Sequence, residues 1–107
     1  MKLFAVEYAP EALDQLAATE SYIAGAGSPE AGERFVEEIV SHCDALESFP
    51  ERGAARDDLL PGLRTLGFRR RVLIAYTAER TSQTVRILGI YYGGQDYEGQ
   101  LVDQQSD

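Results

Sequence analysis

Between residues 10 and 24 apolar side chains return every three or four positions: Leu13, Leu16, Ala17, Ile23 and Ala24, with Glu20 the one polar member of the series. That spacing predicts an amphipathic helix. Pro10 suits its first turn, where a missing N–H costs nothing. The glycines of "GAG", residues 25–27, mark its end, since glycine frees the backbone for a reversal. A second stripe, Ala31, Phe35, Ile39, Cys43 and Leu46, widened by Val36 and Val40, predicts a second helix. Ser28 fits its N-cap, Pro29 its first helical position, and Glu30 the positive end of its dipole. Glu33, Glu37, Glu38, Asp44 and Glu47 mark its wet side. Phe49-Pro50 ends it, because a residue before proline avoids the helical region. A link of about four residues makes the two helices an antiparallel hairpin.

Outside the helices the period changes. "LFAVEY", residues 3–8, is short and rich in aromatic and β-branched types and reads as a first strand. Residues 51–61 read as a connecting loop. After Pro61-Gly62, strands are expected at 63–67, 70–77 and 84–92, with "TAERTSQT" as the polar connection between the last two. "VRILGIYY" is apolar on both pleat faces apart from Arg86, which suits a central strand. The end reads as a turn, at most one short helix, and a polar tail over 99–107 that should fray. A single domain is expected over 1–98. The order β-α-α-β-β-β implies an α+β domain, a helical hairpin packed on one face of a small, mainly antiparallel sheet.

Composition fits a soluble globular domain, with 44% apolar and 26% charged residues in 107. A chain of this size buries roughly two thirds of its unfolded surface and needs no disulfide or metal to fold. The single cysteine, Cys43, excludes an internal disulfide and suits a reducing compartment. With no signal-peptide pattern and no apolar span, the expectation is a cytoplasmic protein that does not enter a membrane.

Charge changes the picture more. The formal net charge is -8, which argues against direct nucleic-acid binding. Its distribution is uneven. Residues 1–58 hold 13 acids and 4 bases, whereas 59–90 hold six arginines and one acid, Glu79. Half of those six lie in one run, Arg69, Arg70 and Arg71, inside "GLRTLGFRRRVLIAY", residues 62–76. Read as strand residues, Arg69 and Arg71 share a face and Arg70 opposes them. Arg64 and Arg86 come from neighbouring strands. One reading has these arginines pairing with the chain's own acids, such as Asp57, Asp58 or the helix glutamates. The other makes them a positive sheet face for an acidic or phosphate-bearing partner.

Other chemistry is thin. His42, the only histidine, lies beside the apolar stripe and reads as structural. No spaced Cys/His cluster, phosphate-cradling glycine loop or nucleophile elbow is present, so no metal, cofactor or catalytic residue is assigned. Tyr91, Tyr92 and Tyr97 gather where the last strand ends. They either cap the core or form a stacking platform.

Five segments, in order, resemble the ParE branch of the ParE/RelE toxins of bacterial toxin–antitoxin pairs. They are "YAPEALDQLAATESYIA", "SPEAGERFVEEI", "LESFPERG", "PGLRTLGFRRRVLIAY" and "VRILGIYYGGQD". The resemblance implies a toxin neutralised by a cognate ParD-like antitoxin, with operator DNA contacted only through that complex. It implies DNA gyrase as the target, or, for RelE-like members, messenger RNA cut on the ribosome. A third alternative is an antitoxin-binding homologue without toxicity. Arg64 and Arg71 best match the family's arginines, with Arg69, Arg70, Arg86, Tyr91 and Tyr92 as neighbours on the surface. The nuclease alternative would place Arg71, Arg86 and Tyr92 around a phosphate. Against it, Tyr92, Gln95 and Gly89 stand where relatives often carry histidine or arginine.

Overall fold

The computed structural model describes residues 3–105. The chain runs β1 (Ala5–Tyr8), α1 (Pro10–Ala26), α2 (Pro29–Asp44) with a 3-10 turn at Ala45–Glu47, β2 (Ala54–Ala55), β3 (Leu63–Phe68), β4 (Val72–Glu79), β5 (Thr84–Tyr92) and α3 (Tyr97–Gln105). The sheet order is β1-β5-β4-β3-β2. β1 lies parallel to β5, and the other pairs are antiparallel. The expected α+β architecture is therefore present: the sheet is mainly antiparallel, β1–β5 being its parallel pair, and β5 lies inside it.

The helical hairpin is tighter than its sequence suggests. α1 continues through Gly25 to Ala26, and only Gly27 and Ser28 join the helices. The Gly27 N–H returns to the Ile23 carbonyl at 2.9 Å. Ser28 caps α2 as expected, its hydroxyl accepting from the Ala31 N–H at 3.2 Å. Gly32 lets the two helices approach: a Cβ there would lie 2.6 Å from the Glu20 carbonyl oxygen. The buried side of α1 is Ala12, Leu16 and Thr19, while Leu13 is 53% exposed. The stripe is thus rotated from the expected one. Alanines on several sides of α1 give it more than one apolar face, and contact with the sheet selects among them.

The main core lies between the hairpin and the sheet. Ile39, Cys43 and Leu46 of the second helical segment meet Val72, Ile74, Tyr76, Val85, Ile87 and Ile90. Each large aliphatic buried there contributes about 1.5–3 kcal/mol. A second core covers the opposite face, where Leu63, Ala75 and Tyr91 meet Leu101 of α3. The short helix allowed for at the end is α3, and it runs through residues 99–105 of the expected polar tail, with Leu101 fully buried; residues 106 and 107 lie outside the described residues. β2 was missed, since two alanines carry no strand signal.

The third strand was placed two residues early. Residues 70 and 71 belong to the β3–β4 connection, and β4 begins at Val72. β5 carries a bulge: Tyr76 pairs with Ile87 but Ala75 pairs with Gly89, leaving Leu88 extra.

The helix contact gives a paired test. Gly32→Ala should destabilise the fold by about 1–3 kcal/mol in denaturant unfolding, because backbone must shift. Gly25→Ala, with open space around it, should gain roughly 0.5–1 kcal/mol.

Candidate functional site

The most unusual backbone in the molecule carries its most basic segment. Arg69 and Arg70 have φ of 52° and 58°, and the Arg71 N–H donates to the Phe68 carbonyl at 3.1 Å. Two successive positive φ values are those of a type I′ turn, which favours Asn-Gly. A side chain other than glycine in this region costs about 1–2 kcal/mol. Phe68 pairs with Val72, so Arg71 is an extra residue after the turn, its carbonyl accepting from the Gly93 N–H at 2.8 Å. The three arginines therefore occupy a hairpin tip and not a strand. Strand alternation therefore does not place them, yet Arg69 and Arg71 do line one cleft together, while Arg70 lines another with Tyr91 and Tyr97.

Beside the tip runs a cleft of about 480 Å³ lined by Ile23, Ala31, Arg34, Phe35, Glu38, Arg69 and Arg71. Arg69 is held there by an ion pair with Glu38, and its guanidinium lies 5.2 Å from the Phe68 ring centre. Among the described residues, no carboxylate comes within 4.0 Å of Arg34, Arg70 or Arg71. Arg34 was absent from the sequence-derived candidates. The available signal was that it is the one basic residue between Glu30 and Asp44 apart from His42.

The remaining candidates are not brought to this place. Arg64 lies beside β2 on the helix-facing side, where its register partner is Tyr76. Its guanidinium donates to the carbonyls of Gly53 at 2.7 Å and Glu51 at 3.2 Å. The Tyr76 hydroxyl accepts from the Gly53 N–H at 2.8 Å, so the 51–55 segment is gripped from both sides. Arg86 lies on the opposite face, 3.6 Å from Glu7 across the β1–β5 pair. The arginines thus do not share a sheet face, because their strand parities differ. Arg56, not singled out from sequence, binds Asp58 and Glu98 at 2.9 Å each and also Tyr97, tying the loop before β3 to α3.

The tyrosines divide between faces. Tyr91 is 2% exposed, with its ring centre 5.9 Å from Tyr97. It folds back over Gly89, where a Cβ would lie 2.6 Å from the Tyr91 ring. Any larger residue at 89 must displace that ring. Tyr91 is hydrogen-bonded to the Gln15 side chain, whose amide oxygen Oε1 also accepts from the Ile90 N–H at 2.7 Å beyond the end of β1. Burial raises the Tyr91 hydroxyl above its ordinary range. Tyr92 sits on the helix side between Tyr22 at 5.6 Å and Phe35 at 5.8 Å. Its ring is engaged by the protein's own neighbours.

His42 packs 5.1 Å from Phe68. Burial, then the Arg52 charge, holds its imidazole below the usual range, so it is neutral at pH 7. Cys43 is fully buried, which pushes its thiol up to about 12 and leaves it protonated and unreactive. The arrangement offers cations and an apolar floor, suited to holding an anionic, partly apolar group.

Residues 6–97 match the family model described as the ParE toxin of the type II toxin–antitoxin system, parDE. In structure the chain is similar to the chromosomal ParDE toxin–antitoxin system of P. aeruginosa, with a TM-score of 0.73, 23% identity and coverage of 85% of this chain and 97% of the other. It is also similar to the RelBE2 complex of Mycobacterium tuberculosis, with a TM-score of 0.61, 19% identity and coverage of 86% and 93%. A mutant E. coli RelE toxin in the free state gives 0.67 at 12% identity over 100% of both chains. At these identities the structural likenesses establish the fold. No curated protein sequence matches the chain. In helix transmembrane terms, none among the described residues is long and apolar enough to cross a membrane.

If the arginines at the tip are kept against the turn's own preference, replacing them should stabilise the protein. Arg69→Asn with Arg70→Gly should gain about 1 kcal/mol, the relief of two left-handed arginines less an exposed ion pair. Thermal unfolding should rise by roughly 4–8 °C. An unchanged or lower midpoint would show that the turn is unstrained. By contrast, Arg64→Ala should lose about 1–2 kcal/mol, because two carbonyls lose a charged donor.

Proposed function

The chain belongs to the ParE toxin family of type II toxin–antitoxin systems, and from that premise we propose that it is a non-enzymatic toxin that binds DNA gyrase and is held inactive by a ParD-like antitoxin. The observation carrying this reading is that Arg34 and Arg71, with no carboxylate within 4.0 Å among the described residues, line one apolar-floored cleft, with Arg70 next to Arg71 at the tip. On a molecule of net charge -8, such a patch attracts acidic groups locally while the rest of the surface repels them, which favours one docking orientation. Arg70 and Arg71 then touch the partner, with Arg34 beside them. Arg69 joins only by exchanging Glu38. Arg64, Arg86 and Tyr91 serve the fold, and Tyr92 supports the cleft through Phe35.

For the antitoxin, exposed Tyr22 on α1, which packs beside Tyr92 next to the cleft residue Phe35, offers an anchor for an amphipathic segment that carries acidic residues toward the cleft. Operator DNA would be met through that complex alone. The nuclease alternative lacks support at its proposed residues. Cleavage needs a base, an acid and cations around one phosphate. Arg86 is opposite Thr77 and Tyr92 opposite Val72, about 17 Å apart along β4 at strand spacing. Gly89, where relatives often carry arginine, is covered by Tyr91.

Purified protein should inhibit gyrase supercoiling. Arg34→Ala with Arg71→Ala should weaken that inhibition by at least about tenfold, with unfolding shifted by less than about 1 kcal/mol. Cleavage within codons, seen by primer extension after induction while supercoiling is untouched, would sink the gyrase reading.

A further inference from the structure

The opposite end of β4 carries a second surface that the arginine tip does not explain. Phe49 is 65% exposed although it is a large aromatic residue. Its exposure follows from the chain path. Pro50 holds Phe49 out of the helical region, and the Arg52 N–H closes a turn onto the Phe49 carbonyl at 3.1 Å. Phe49 and Pro50, with Phe4 from just before β1, form the apolar part of a groove of about 770 Å³. Leu3, covalently next to Phe4, is 56% exposed. The Phe4 N–H is fixed to the Glu47 carbonyl at 2.9 Å, so one wall is anchored to the end of the second helical segment. Ser48, Glu51, Arg52 and Arg80 complete the lining.

The rim charge selects the occupant. Glu51 is spent on Arg80, which remains 72% exposed at its side chain. Among the described residues, no carboxylate comes within 4.0 Å of Arg52. The groove thus presents two cations and one anion around aromatic carbon. An apolar group alone would leave Arg52 uncompensated, and a basic segment would meet it with like charge. A segment with an aromatic or aliphatic anchor and adjoining carboxylates satisfies both parts. β4 has eight residues, so this groove lies about 25 Å from the arginine tip at strand spacing.

We propose that the groove formed by Phe4, Phe49, Pro50, Arg52 and Arg80 is a second docking site, for an extended acidic peptide segment with a bulky apolar anchor, and that it can be filled while the arginine tip is occupied. The anchor lies against Phe49 and Pro50, and a carboxylate reaches Arg52. Neither contact needs the gyrase reading.

The test is a titration of the full chain, isotope-labelled for amide NMR, with the blocked hexapeptide Asp-Glu-Phe-Leu-Glu-Asp. Saturable shifts should concentrate at residues 47–53 and 79–82. Phe49→Ala should weaken binding by about tenfold without altering the core, since Phe49 is exposed. Arg52→Glu should abolish binding of the acidic peptide and confer binding of Lys-Lys-Phe-Leu-Lys-Lys, a switch that mere unfolding does not produce. The proposal is overturned if shifts fall at residues 67–73 instead, if no saturable shift appears up to millimolar peptide, or if Phe49→Ala and Arg52→Glu bind like the parent. Shifts at 47–53 that depend on protein concentration without peptide overturn it in favour of self-association.

Discussion

Three residues connect β3 to β4, and the connection closes only with Arg69 and Arg70 at positive φ. The register of the sheet depends on that closure. It sets Phe68 against Val72 and Leu66 against Ile74, so these side chains reach the helices together. A slip of one residue would turn the whole set to the other face. Arg71, the extra residue after the turn, then bonds through its carbonyl to Gly93 and so fixes where β5 ends. The same constraint that builds the core therefore places three cations at one end of the molecule.

What those cations do is decided by their neighbours more than by their number. Arg64 is consumed by backbone carbonyls, Arg56 by Asp58 and Glu98, Arg86 by Glu7, and Arg69 by Glu38. Exposed ion pairs of this kind add little stability, about 0–1 kcal/mol each, but they offset the arginine's field, whereas the neutral carbonyls fix Arg64 in place and leave its charge. Arg34, Arg70 and Arg71 keep theirs. The surface proposed to bind a partner is thus smaller than the basic third of the sequence, and it includes one residue from the acidic half, Arg34.

The parts legible in the sequence were those written in periodicity and caps. The stripe from Phe35 in α2 to Leu46 in the following 3-10 turn, the Ser28 cap and the full span of β5 needed only local pattern. α1 was legible as a helix but not in its facing, because alanine spreads apolar surface around it. The arginine run misled because an arginine pair at positive φ has no local signature. The usual marker, Asn-Gly, is absent, and the run adjoins a strand-like apolar segment. Arg34 was hidden for a different reason: its relation to Arg71 is a contact between α2 and a hairpin, invisible until the two are packed. Gly89 and Tyr91 are linked in the same way, since the glycine is explained by a ring two residues away folding over it.

A partner seated on the hairpin tip and its cleft must leave its footprint there. Amide hydrogen exchange, compared between the free chain and its complex with an antitoxin encoded beside it, tests this most directly. Protection gained at residues 31–38 and 67–73, beyond that of the free fold, is the predicted result. A stable complex that leaves both segments exchanging as in the free protein would contradict it.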